Sequence, residues 1–152
     1  MGQTKLSHLA IIFAVLGAIG WASAEIVQGQ TGRSIPVPSL APAALWILGV
    51  SVGLWTFFAK PRLERKPGAQ PFPPLASARI AVLAMAASRT GAVIAGFYLG
   101  VALVAVGQSA TPAGWSTMIS AFLAAIGSII LVVSGLWLES MCVARNEADG
   151  NK

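Results

Sequence analysis

Four long apolar runs alternate with short links along the chain, and the charged side chains fall almost entirely in the links. The runs cover residues 9–27, 40–59, 76–107 and 115–138, each bounded by proline, glycine or charged residues. Each approaches or exceeds the roughly 20 residues with which a helix crosses the hydrocarbon of a bilayer. The pattern predicts one domain over residues 1–152: an all-α integral membrane protein built as a four-transmembrane-helix bundle.

The charged positions orient it. Lys60, Arg62, Arg65, Lys66 and Arg79 flank the link between the second and third runs, whereas the first link carries Arg33 alone and the third no charge. The positive-inside rule places the basic link, residues 60–75, in the cytoplasm, with both termini on that side and short extracytoplasmic loops. The expected location is the cytoplasmic (inner) membrane, crossed several times. Lys5 at one end and Arg145 and Lys152 at the other agree. Trp21, Trp46 and Trp115 then fall toward the outer interface and Trp55 and Trp137 toward the inner one, as amphipathic rings do. A competing reading of the N-terminus is a signal peptide: Lys5, an apolar stretch to Trp21, then Ala22-Ser23-Ala24 before Glu25. Cleavage after Ala24 would leave three spans with the same orientation.

Prolines stiffen both larger links. Pro61, Pro67, Pro71, Pro73 and Pro74 make residues 61–75 a partly extended connector rather than a helix. Such segments also serve as docked ligands. Pro36 and Pro38 shorten the outer link, and Pro42 suits an early helical position.

Composition agrees with the pattern. The chain is 56% hydrophobic and 10% charged, with a mean hydropathy of +0.76, where soluble domains carry roughly 25% charged residues. The net charge of +5 does not point to nucleic acid, because the cations cluster beside the spans. There Lys60, Arg62, Arg65, Lys66 and Arg79 suit the anionic headgroups of membrane lipids. The single Cys142 excludes an internal disulfide.

Few residues offer chemistry. Ionisable groups within spans are costly unless they face protein, water or headgroups. Arg89, in Ser88-Arg89-Thr90, is the clearest, lying roughly 14 Å inside if the helix enters lipid at Ile80. If the long third helix projects inward, Arg89 instead snorkels to the inner headgroups. Glu25 invites comparison with small proton-coupled multidrug transporters, but it sits near the outer end of its span, too far in depth to pair with Arg89. Glu139 follows the apolar part of the last span. His8 and Cys142 lack the flanking motif of a nucleophile and base, and the scattered His, Cys and carboxylates suggest no metal site. No phosphate-cradling motif is present, so no cofactor is expected. Small-residue spacing is the stronger signal. Gly49-x-x-x-Gly53 and Gly96-x-x-x-Gly100 each place two glycines on one helix face for a closely approaching backbone, supplied by another span or by a second protein. Ser77, Ala81, Ala84, Ser88 and Ala92 recur at helical spacing on the third run.

The segments 76–88, 91–100 with Phe97-Tyr98, and Gly135-Leu136-Trp137-Leu138-Glu139-Ser140-Met141-Cys142 resemble an actinobacterial family of membrane proteins catalogued as a domain of unknown function, number thirty-one eighty. The resemblance implies a four-span envelope protein and no particular activity, and it raises Glu139 and Cys142 as residues of interest. The expectation is a non-enzymatic subunit or scaffold of a cell-envelope membrane assembly, in contact with lipid and with another membrane protein. The alternative is a small transporter whose polar path passes Arg89 and Tyr98.

Overall fold

All four apolar runs fold as helices, and each helix runs past its apolar run at one end or both. The structure is a computed structural model that describes residues 6–32, 37, 38, 40–63 and 74–150, with side chains described for 7–32, 37, 38, 40–60 and 79–141. The helices are α1 (Leu6–Thr31), α2 (Leu40–Leu63), α3 (Pro74–Val106) and α4 (Pro112–Gly150), and there is no strand among the described residues. Each contains a stretch long and apolar enough to cross a membrane: Ser7–Thr31, Leu40–Lys60, Arg79–Val106 and Pro112–Met141. This is an all-helical protein with four candidate membrane spans.

Local chemistry sets the helix ends. Pro74 and Pro112 each open a helix, where a missing amide proton costs nothing. Thr111 caps α4, its Oγ1 accepting the Gly114 amide at 3.0 Å. Gly32 closes α1 at a φ of 65°, its amide donating to the Gln28 carbonyl at 2.8 Å. That left-handed position favours glycine. The expected non-helical link 61–75 is corrected at both ends, because α2 continues through Pro61 to Leu63 and α3 already begins at Pro74. In a last turn the proline removes only one ladder bond, and the helix stops two residues later. Residues 64–73, the rest of that link, lie outside the described residues.

The helices pack as an open row in the order α1, α3, α4, α2. Among the described residues, the helix pairs in contact are α1 with α3, α3 with α4, and α4 with α2. Along α1 and α3 the contacts advance together: Gly96 lies against Phe13 and Gly17, and Gly100 against Gly17 and Trp21, so these helices run parallel. Between α3 and α4 they run in opposite senses, with Gly91 against Ser128 and Val132, and Gly135 against Ala84 and Ser88. α2 and α4 run parallel through Gly49 with Gly127 and Gly53 with Ser134. The start of α1, the end of α2, the start of α3 and the end of α4 therefore share one end, here called the basic end after Lys60 and Arg79.

Lipid removes the usual hydrophobic drive between helices, so close backbone approach and dispersion hold the row together. The buried positions are accordingly small: Ala84, Ala102, Ala121 and Ala124 are fully covered, as are Thr56, Ser88 and Ser128. These hydroxyls satisfy themselves on their own helices. Thr56 donates to the Val52 carbonyl at 2.8 Å, Ser88 to Met85 at 3.1 Å and Ser128 to Ala124 at 2.8 Å. They can thus be buried without an orphaned donor. Between helices, the Trp46 indole Nε1 donates to the Leu123 carbonyl at 3.1 Å, so its polar tip is used inside the protein.

Candidate functional site

The four glycines singled out by spacing all lie in contacts within the chain. A methyl group on Gly96 would run into the Phe13 carbonyl, and one on Gly100 into the Gly17 carbonyl and to 2.6 Å from the Trp21 amide. On the other side of the row, a methyl on Gly49 would stand 3.0 Å from the Gly127 carbonyl and one on Gly53 3.1 Å from Ser134 Oγ. Both Gly-x-x-x-Gly faces are therefore occupied by neighbouring spans, and a second protein cannot dock on them. Gly17 and Gly20 of α1 and Gly91 and Gly135 of the central pair complete these contacts. The sequence reading missed their role. Spacing by three or seven carries the same facial information as spacing by four.

Arg89 is exposed, although Ser88 beside it is fully buried. One residue turns the helix by about 100°, which carries the guanidinium away from α4 while Ser88 faces Gly135. Its depth follows from the row. Ser88 is level with Gly135, Ser134 is level with Gly53, and Lys60 lies seven residues further along α2. Arg89 is thus about 10 Å inside the level of Lys60 at 1.5 Å per residue. The apolar stretch of α3 has 28 residues, longer than the roughly 20 that suffice to cross. A central arginine costs about 2.5–3.5 kcal/mol on insertion scales, and reaching the headgroups lowers that cost.

The other polar candidates are dispersed. Tyr98 is half-buried in the cluster of Ala24, Val101, Ala102 and Ala121, its ring edge-on to Phe97 at 5.8 Å. Nine residues separate it from Arg89, two and a half helical turns, so the two project from opposite sides of α3. Glu25 is exposed. Through the contact of Gly17 with Gly96 it lies roughly 22 Å along the helix axes from Arg89. Glu139 is 5% exposed and has an interaction partner, next to Leu138, which packs with Ala59, Ile80 and Ala84. It is held inside the helix contacts rather than at a bare interface. Lys60 Nζ lies 5.9 Å from the Trp137 ring centroid, a cation–π arrangement at the basic end. Arg79 is exposed there too. The side chains of Arg62 and Cys142, and residues Arg65 and Lys66, lie outside the described residues. Among the described residues no group of three or more His, Cys, Asp or Glu could hold a metal.

An open groove of about 410 Å³ runs along α2, lined by Trp46, Ile47, Val50, Ser51 and Leu54. On α1, Ala10, Ala14, Ala18 and Ala22 recur every four residues, all exposed. This second small-residue stripe has no neighbour among the described helices. The sequence reading passed over it because alanine in an apolar run is unremarkable without knowing which side is covered.

No curated protein and no solved structure matches the chain. One family does, and its description as a protein of unknown function (DUF3180) attaches no activity to these residues. With residues 9–146 covered, from the start of α1 into the last turns of α4, the chain belongs to that family.

Proposed function

We propose that the chain is a non-enzymatic structural subunit of a membrane assembly, inserted with its basic end in the cytoplasm, and that it binds a partner helix along the outward face of α1. The observation that carries this reading is the exposed stripe Ala10, Ala14, Ala18 and Ala22 on a helix with a single neighbour among the described helices. Small residues four apart are what lets one membrane helix approach another closely, as Gly96 and Gly100 do toward α1. In α1 and α2, 11% and 22% of the most apolar stretch is buried, against 44% in both α3 and α4. The outer helices therefore have most of their surface left for lipid or protein. The orientation rests on Lys60 and Arg79 at one end. Transport is the less supported alternative, since a path past Arg89 and Tyr98 would need both on one face of α3.

Photo-crosslinking in native membranes tests the subunit reading. A photoreactive residue at Ala14 or Ala18 is expected to give one product of defined mass that the same probe at exposed Val82 of α3 does not. Ala18→Leu is expected to abolish it while the chain stays folded. Adducts with lipid alone, or the same products from Val82, would refute the proposal.

A further inference from the structure

We infer that Arg89 holds the phosphate of an anionic phospholipid drawn from the leaflet on the basic side, at the flank of the α1·α3 pair. The argument starts from a charge with no counter-charge among the described residues. Arg89 makes no ion pair or hydrogen bond with a described residue. α3 contains no carboxylate along its whole length. The acidic residues of the neighbouring spans are Glu25, near the far end of α1, and Glu139, buried in the α4 contacts. Arg89 is turned away from α4, so no described residue offers it an anion at its own depth. Lipid does.

Geometry favours the phosphate group over hydrocarbon. Side chains of a helix lean toward its N-terminus, which for α3 is the basic end, so the guanidinium is inclined from its depth toward the nearer headgroups. Arg89 also shares a face with Gly96 and Gly100, seven and eleven residues on, which is the face packed on α1. Running back from the contact of Gly96 with Phe13 and Gly17, Arg89 is level with residues 6–10 of α1. His8 is at that level but nine residues before Gly17, about half a turn off the face packed on α3, so the guanidinium alone carries the contact. A planar guanidinium binds phosphate oxygens two at a time, which favours a held lipid over a diffuse cloud of headgroups.

The test uses the full chain in lipid nanodiscs of phosphatidylcholine containing a minor fraction of phosphatidylglycerol, with bound lipid read by native mass spectrometry. The parent chain is expected to retain one phosphatidylglycerol in preference to phosphatidylcholine. Arg89→Gln should lower that retention about fivefold, equivalent to the roughly 1 kcal/mol of one basic residue at the headgroups. Arg89→Lys should keep part of it, Arg79→Gln should leave it within a factor of two, and added glycerol phosphate should not compete. An unchanged circular dichroism spectrum verifies that Arg89→Gln is folded. Equal retention in Arg89→Gln and parent, equal losses in Arg89→Gln and Arg79→Gln, or displacement by glycerol phosphate would each overturn the assignment.

Discussion

Replacing Gly100 by alanine should release α1 from the row and leave the rest of the protein in place. The added methyl would meet the Gly17 carbonyl and stand 2.6 Å from the Trp21 amide, well inside the 3.4 Å at which ordinary contact begins. Both obstacles are backbone, so no rotamer change relieves them, and α1 must retreat as a body. Overpacking of this kind costs about 1–3 kcal/mol. Since α3 is the one described helix that α1 touches, the cost falls on opening that contact. The opening equilibrium should then rise roughly 5- to 150-fold, at tenfold per 1.4 kcal/mol. Thiol labelling reads it in a chain carrying Cys142→Ser. Ala24→Cys reports the α1·α3 contact, where Ala24 is 4% exposed, and Ala84→Cys reports the central pair, where Ala84 is fully buried. Gly100→Ala is expected to speed labelling at position 24 by that factor and leave position 84 unchanged. Gly29→Ala serves as the control, because a methyl there meets nothing within 4 Å and alanine improves helix propensity. Equal labelling at position 24 with and without Gly100→Ala would refute the steric argument. Parallel acceleration at both positions would refute the row in which α1 opens alone.

Gly135→Ala should act differently from Gly100→Ala: its methyl would stand 3.0 Å from the Ala84 carbonyl and 2.9 Å from the Ser88 amide, so thiol labelling at position 84 should accelerate. Trp46→Phe removes the interhelix bond to Leu123 and should cost about 0.6 kcal/mol, the average for such bonds in a membrane, as measured by denaturation in mixed micelles. Glu139→Ala removes the interaction made by a buried carboxylate and should cost about 1.5–3 kcal/mol in the same assay; an unchanged midpoint would refute a stabilising role for it.

The existence and number of helices were legible because a membrane span needs only length and apolar composition, and both are local properties. Helix ends were less so. Pro61 reads as a breaker, yet in a final turn it costs too little to stop α2 at once, and α4 runs on to Gly150 through polar residues that a hydropathy pattern excludes. Neighbour order was not legible at all. Gly49, Gly53, Gly96 and Gly100 announce close contacts, but glycine carries no side chain by which a partner could be recognised, so each stripe fits several helices equally well. Arg89 was visible as an anomaly. Its meaning depended on depth and facing, which came only from the levels of Ser88, Gly135, Gly53 and Lys60 across three helices.

The number of small-residue stripes on each helix accounts for the row. α3 presents one stripe with Ala84, Ser88 and Gly91 to α4 and another with Gly96 and Gly100 to α1. α4 presents Ser128 and Gly135 to α3, and Gly127 and Ser134 to α2. Two stripes give two neighbours. α2 has Gly49, Gly53 and Thr56 on one side and meets α4 alone. α1 breaks the count, for it spends Gly17 and Gly20 on α3 and still carries Ala10, Ala14, Ala18 and Ala22 outward. This asymmetry decides which substitutions can probe an assembly. Because Gly96 and Gly100 are occupied inside the chain, a partner lost on changing them would report only that α1 had let go. Ala18→Leu changes a surface no described helix uses, so a partner lost there would have to be a partner that bound there.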